Sequence, residues 1–134
     1  MYLQQLNQTE KENFLELAYL LANVDDEFAA KEKLQILQYR YEMHLHEDDY
    51  SIKKKNIDVI LHELSESEAN IKKIITFELI GLALSDKNLR VQEIELLSKA
   101  RTQFNISEEL FEKMQDKIEN LQKLYFDVNE LLSI

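Results

Sequence analysis

The sequence predicts an all-α protein, and three observations lead to this prediction. The 134 residues include no proline and a single glycine, Gly81, where average usage would give about 7% glycine and about 5% proline. Strand hairpins and Gly-rich phosphate loops therefore lack the residues they need. Two segments are apolar almost all round over the length of a helix, and polar residues typical of helix caps separate the other apolar runs. By its length the chain is interpreted as one domain, residues 1–134, of about six helices.

The first helix is expected over residues 10–23, because Thr9 and Glu12 have the spacing of a capping box. It is apolar on nearly every side, which predicts a central, buried helix. A second, amphipathic helix is expected from Ala29 onward. Its predicted buried face is a set of apolar residues at helical spacing, namely Leu34, Leu37, Tyr41 and Leu45.

Serine residues mark the expected starts of three further helices. Ser51 is predicted to cap a helix over residues 52–64, and Ser67 a helix over residues 68–84 that is again apolar nearly all round. This fourth helix is the second predicted central helix. A fifth helix is expected from about residue 90 to residue 104, and Ser107 is predicted to cap a long C-terminal helix that begins at Glu108.

The long C-terminal helix has a heptad pattern of apolar residues. Alternating spacings of three and four residues relate Phe111, Met114, Ile118, Leu121, Tyr125, Val128 and Leu132. Two interpretations follow from this seam. Either the whole helix folds along its own domain, or its distal half pairs with a partner protein or with a second copy to give a homodimer.

A short pattern occurs twice, 61 residues apart. The first copy has an alanine, an aspartate, a bulky apolar residue, a glutamate and an apolar residue at Ala22, Asp25, Phe28, Glu32 and Ile36, and the second has them at Ala83, Asp86, Leu89, Glu93 and Leu97. Each copy joins the end of a buried helix to the start of an amphipathic one. The repeat predicts two pseudo-two-fold-related helical hairpins around the two central helices. Gly81, opposite Leu20 in the repeat, is expected to permit a close crossing of these helices.

At these residues the sequence resembles the TerB-like family, the helical domain of bacterial tellurite-resistance proteins. The resemblance covers residues 14–36 and 77–111. The family pattern has Asp-Gly at each turn, whereas Asp26 and Lys87 stand at the glycine positions of this chain. The resemblance implies an all-α module without catalysis that is associated with tellurite or other chemical stress and binds metal ions or partner proteins.

Four acidic residues match the positions at which such a metal would bind. They are Asp25 and Glu32 in the first copy and Asp86 and Glu93 in the second, and a divalent metal is the one cofactor that the resemblance implies. A structural role is the alternative. If the two amphipathic helices begin just after Ala29 and Arg90, each glutamate stands at the third helical position, where its carboxylate can accept a backbone N–H. The aspartates can likewise accept backbone N–H groups within the turns.

The remaining candidates for chemistry are the three histidines, His44, His46 and His62. His44 and His46 would point in different directions on a regular helix, so they could share a metal only if the helix ends before them. The chain has no cysteine, which removes thiol nucleophiles and cysteine metal sites. No catalytic constellation is recognised, and the protein is expected not to be an enzyme.

The charge balance bears on the kind of partner. The chain has 26 acidic and 16 basic residues, a net charge of −10, which repels phosphate backbones and anionic lipid. Nucleic acid and membrane are therefore not expected as partners. A cytoplasmic location is expected because residues 1–6 lack the basic region and apolar run of a secretory signal, and charges interrupt the apolar stretches well short of a membrane span. The expected function is a non-catalytic, stress-associated protein-interaction module. The alternative is a divalent-metal-binding module that uses the repeated Asp and Glu residues.

Overall fold

A computed structural model describes residues 1–22, 30–85 and 89–133, with only the backbone of residues 30–32. A short 3-10 helix, Leu3–Gln5, precedes six α-helices in this part of the chain, which contains no strand. The helices are α1 (Gln8–Ala22), α2 (Ala30–Met43), α3 (Ile57–Ser65), α4 (Ala69–Ala83), α5 (Val91–Gln103) and α6 (Glu108–Leu132). The predicted all-α class and the long C-terminal helix are confirmed.

None of the helices in the described ranges has the length and apolarity that crossing a membrane requires.

The core forms around α1 and α4, which contact each other. On the other sides, α1 contacts α2 and α3, while α4 contacts α5 and α6. Both helices bury residues on most of their circumference, as predicted for the two central helices. The fully buried apolar side chains of the two helices are Phe14, Leu15, Leu17, Ala18, Leu21 and Ala22 of α1 with Ile75, Leu79, Ile80, Leu82 and Ala83 of α4.

The 61-residue repeat coincides with the helix boundaries. Helices α1 and α4 are both 15 residues long, and they begin at Gln8 and Ala69. Helices α2 and α5 begin at Ala30 and Val91, which are separated by the same interval. Because α2 contacts α1 and α5 contacts α4, the chain forms two helical hairpins. The two-fold relation between them stays a prediction.

The same turn ends the second helix of each hairpin. His44 and Asn105 have positive φ angles of 55° and 57°. The N–H of the following residue donates back to an arginine carbonyl, from Leu45 to Arg40 at 2.9 Å and from Ile106 to Arg101 at 3.0 Å. This is the hydrogen bonding of a Schellman motif, in which a left-handed residue satisfies the last carbonyls of a helix. The structural repeat therefore extends beyond the sequence pattern.

Two of the predicted helix caps are wrong by one or two residues. Helix α1 begins after Asn7 rather than Thr9, because Asn7 Oδ1 accepts the N–H of Glu10 and Glu10 Oε1 accepts the N–H of Asn7, both at 2.9 Å. Helix α4 begins after Glu68 rather than Ser67, since the N–H of Ser67 donates to Leu64 at the end of α3. Ser107 caps α6 as predicted, accepting the N–H of Leu110 at 3.1 Å.

Helix α3 begins at Ile57, so the predicted start after Ser51 is wrong. Residues 51–56 are not helical because the carboxylate of Glu16 in α1 accepts two of their backbone N–H groups. These donors are Lys53 at 2.8 Å and Lys55 at 3.1 Å. The helix then starts where Asn56 Oδ1 accepts the N–H of Asp58 at 2.8 Å.

Two buried charges hold the segment between α2 and α3. The hydroxyl of Tyr50 donates to the carboxylate of Glu16, which is 1% exposed. Arg40 Nη1 donates to the carbonyl of Tyr50 at 2.9 Å and to that of His46 at 3.3 Å. Burial alone would raise the pKa of Glu16, but the amides of Lys53 and Lys55 and the Tyr50 hydroxyl outweigh it and lower the pKa from its ordinary 4.5. Glu16 is therefore a structural carboxylate.

The buried face of α2 differs from the predicted one. Its core residues are Ile36, Tyr39 and Met43. The predicted residues of the helix, Leu34, Leu37 and Tyr41, are each more than half exposed, and Leu45 is buried beyond the end of the helix. Both faces have helical spacing, and contacts across the core select between them. The rings of Tyr39 and Phe14 pack edge to face with their centroids 5.1 Å apart, and the Tyr39 hydroxyl donates to the carbonyl of Glu78 at 3.1 Å.

The expected close crossing at Gly81 is also wrong. A Cβ built on Gly81 has no heavy atom of the other described elements within 4 Å. The glycine is half-buried in α4, at the edge of a cleft, and does not have a positive φ angle. It therefore provides neither room for a helix crossing nor an unusual backbone conformation.

We expect Gly81→Ala to raise the free energy of unfolding by about 1 kcal/mol, because alanine is the better helix former and the space for its methyl group is open. Urea unfolding of the two proteins measures the difference. A less stable variant would show that α4 depends on close approach at this position.

We expect Glu16→Gln to lower the free energy of unfolding by about 2 kcal/mol at neutral pH, because an amide N–H2 replaces one acceptor oxygen among three donors. The folded-state pKa of Glu16 is lowered, so its stabilisation is present above about pH 4.5 and is lost as the pH falls through the folded pKa. The difference in the free energy of unfolding between wild type and Glu16→Gln should therefore narrow as the pH falls below about 4.5. The exposed Glu112→Gln is the matched control. An equal effect of the two substitutions would contradict the role assigned to Glu16.

Candidate functional site

The structure describes one of the four carboxylates predicted to bind a metal. Asp25 and Asp86 lie outside the described residues, and Glu32 is described only as backbone in α2. Glu93 is 4% exposed in the first turn of α5, where its Oε1 accepts the N–H of Arg90 at 3.2 Å. A bond of this kind at the start of a helix is the structural role that was expected as the alternative to metal binding. The glutamate stabilises the start of α5 there.

No group of three or more His, Asp or Glu side chains suited to a metal ion occurs within residues 1–22, 33–85 and 89–133. The histidines occupy separate positions. His44 is the left-handed residue after α2, His46 follows in the loop with its backbone N–H donating to Asp49 Oδ2 at 3.1 Å, and His62 is in the last turn of α3. All three side chains are exposed.

The most enclosed of the described clefts is apolar. It has a volume of about 250 Å³ between α4, α5 and α6, and Ile80, Leu97 and Phe111 contribute to its wall. Arg101 is the charged side chain in the lining, and its Nη1 donates to the carbonyl of Ile106 at 3.0 Å. Among the described residues that line this cleft none is acidic, so they do not pair an acid with a base.

The first half of α6 packs on the rest of the protein, helices α1 to α5, which we call the body. Met114 and Ile118 of the heptad seam are buried, and Phe111 and Leu121 are partly buried. Helix α4 provides the surface for this packing. Further along α6, Gln122 Nε2 donates a hydrogen bond to the carbonyl of Leu84 at the end of α4, at 3.0 Å.

Beyond Gln122 the apolar residues of α6 are exposed. Tyr125 is 65% exposed, Leu131 74% and Leu132 78%, and Leu124 and Val128 are exposed as well. We call the apolar surface of the distal half of the helix the distal stripe. Its members are Leu121, Leu124, Tyr125, Val128, Leu131 and Leu132.

The distal stripe is wider than the seam predicted from the sequence. If Tyr125 is heptad position a, then Leu121 and Val128 occupy position d, while Leu124 and Leu131 occupy position g. Positions g, d and a span about 120° of the helix circumference. The 3-4 spacing of the predicted seam does not include the two leucines at g. A wheel drawn over residues 121–132 would have found them.

The edges of the distal stripe are nearly neutral. Gln122 and Asn129 line one edge at position e, and Asn120 and Asp127 line the other at position c. The remaining charges of this half helix, including Lys123 and Glu130, lie on the side away from the stripe. One broad side of this half helix is therefore apolar, and Phe126, at position b, lies on the other side. A broad apolar side is the form that helices present to partner helices.

Comparison of the chain with protein-family models, with curated proteins and with solved structures gives no match.

A chain ended after Lys123 should keep its melting temperature within about 3 °C of wild type at low protein concentration, because the large apolar side chains that it loses are 40–78% exposed. The matched control is a chain ended after Lys117, which also loses the buried Ile118 and the Gln122 bond and should melt at a clearly lower temperature. Differential scanning calorimetry measures both. Equal destabilisation by the two truncations would mean that the distal half packs on its own body.

Proposed function

We propose that this protein is a non-catalytic protein-interaction module that binds its partner through the distal stripe of α6. The observation that supports the proposal is the exposure of the five stripe residues beyond Gln122, each of which is 40–78% exposed. Contiguous exposed apolar surface with a polar border is typical of binding sites for proteins. The burial of the same seam at Met114 and Ile118 supports the interpretation that the seam is a packing surface along its whole length.

The non-catalytic part of the proposal is supported by the roles of the buried polar residues. Glu16 and Arg40 fix the segment before α3, and Glu93 caps α5. Each of these groups already has backbone partners, so it is engaged in structure rather than directed into a cleft. The exposed histidines are distributed over a helix end, a loop and α3.

The TerB-like resemblance adds a biological setting to the proposal. It associates the module with tellurite or other chemical stress, on the basis of the repeated residues between the helices of each hairpin. The alternative is divalent-metal binding by Asp25, Glu32, Asp86 and Glu93, of which the structure describes the side chain of Glu93. We propose protein interaction as the function because of the exposed distal stripe.

A photo-crosslinking amino acid placed at Leu124 or Leu131 should form an adduct with the partner in living cells. The same group at Lys123 or Glu130, on the opposite side of the helix, is the matched control and should form little adduct. Gel mobility and mass spectrometry measure the yield and mass of each adduct. Equal yields from the two sides, or none from the stripe, would contradict the proposed binding surface.

A further inference from the structure

We infer that the partner bound by the distal stripe is a second copy of this chain, and that the two α6 helices pair in antiparallel orientation over residues 121–132. The inference rests on the proposed function, because it assigns an occupant to the same surface. Four properties of the stripe lead to it: the sizes of its residues, the chemistry of its edges, its charge and its area.

The residue sizes fit an antiparallel pair. In such a pair a residue at position a packs beside a residue at position d of the other helix. Tyr125 then meets Val128 of the second copy, and Leu121 meets Leu132 of the second copy. The largest side chain of the stripe thus lies against the smallest, and leucine lies against leucine. A two-fold axis repeats each contact, as an isologous interface requires.

The positions that flank a and d distinguish antiparallel from parallel pairing. In an antiparallel pair the g residues of the two helices lie together, and so do the e residues. Leu124 then meets Leu131 of the second copy, while Gln122 meets Asn129 of the second copy. Side-chain amides both donate and accept hydrogen bonds, so they are complementary to one another. A parallel pair would place g beside e, and therefore leucine beside amide.

The charges favour the same arrangement. The chain has a net charge of −10, so two bodies held side by side would repel each other within a Debye length of about 8 Å. Antiparallel helices that overlap over residues 121–132, roughly 18 Å, place the two bodies at opposite ends of the pair. The edges of the stripe carry one charge, Asp127, and thus offer little to attract a charged partner of another kind.

The exposed area suits a dimer. Five residues of the stripe are 40–78% exposed, and a large apolar or aromatic side chain has roughly 150–250 Å² of surface. The stripe therefore presents roughly 500–600 Å² per chain. Two copies together would bury on the order of 1,000 Å², the lower limit of a specific interface.

Sedimentation equilibrium of the full chain tests the inference. We expect a reversible dimer in wild type and at least about a hundredfold weaker association for Leu124→Glu/Leu131→Glu, since the glutamates would be buried in the pair. Both leucines are exposed in the single chain, so the variant should fold, and circular dichroism checks this. Lys123→Glu is the control and should remain a dimer although it makes the helix more acidic. A monomeric wild type, or equal association of the stripe variant, overturns the inference.

Cysteine crosslinking tests the orientation, since the chain has no cysteine of its own. A mixture of Leu121→Cys and Leu132→Cys chains should form a disulfide between them under mild oxidation. Leu132→Cys alone should not, because in the antiparallel pair the two thiols are roughly 16 Å apart along the axis. A dimer crosslinked by Leu132→Cys alone overturns the antiparallel orientation.

The adduct masses from photo-crosslinking separate the two proposals. Adducts of twice the chain mass agree with the inferred dimer. Adducts of another mass from Leu124 or Leu131, together with a monomeric wild type, would overturn the dimer and leave the proposed interaction module in place. The absence of any stripe adduct would overturn the proposed function itself.

Discussion

The packing of α6 on α4 is limited by the lengths of the two helices. At about 1.5 Å per residue, the 15 residues of α4 extend roughly 22 Å, whereas the 25 residues of α6 extend roughly 38 Å. A helix of 15 residues cannot cover a continuous apolar seam along a helix of 25 residues. The burial of Met114 and Ile118 and the exposure of Leu131 and Leu132 are two results of the same mismatch. The surface proposed for binding therefore arises from the architecture of the domain.

The two hairpins show how one structural unit is used twice with different continuations. Arg40 and Arg101 occupy the same position before the Schellman turns, and each donates to the carbonyl five residues on, Leu45 at 3.4 Å and Ile106 at 3.0 Å. After the second hairpin the chain enters α6 at once. After the first it continues through an irregular segment that needs Arg40 and Glu16 to satisfy its backbone groups. A buried charge is stable there because several hydrogen bonds offset its desolvation.

The sequence predicted those features that depend on local chemistry or on complete burial. Helices α1 and α4 were recognised because they are apolar on most sides, and the start of α6 because Ser107 caps it through its own neighbours. The start of α3 could not be predicted, since it depends on hydrogen bonds from residues 53 and 55 to Glu16, far away in sequence. The side of α2 that is buried depends on where Phe14 lies, and two helical periodicities fitted the same residues. The seam of α6 was predicted, but the point at which it leaves the body depends on the length and placement of α4.

Hydrogen exchange of the backbone amides in α6, followed as a function of protein concentration, tests most directly whether another chain covers the distal stripe. In dilute solution the amides of residues 124–132 should exchange much faster than those of residues 111–118, since the large apolar side chains of the distal half are 40–78% exposed. Their exchange should slow as the concentration rises and a second copy covers them. Strong protection of residues 124–132 at the lowest concentration, or exchange that does not change with concentration, would contradict the proposed dimer.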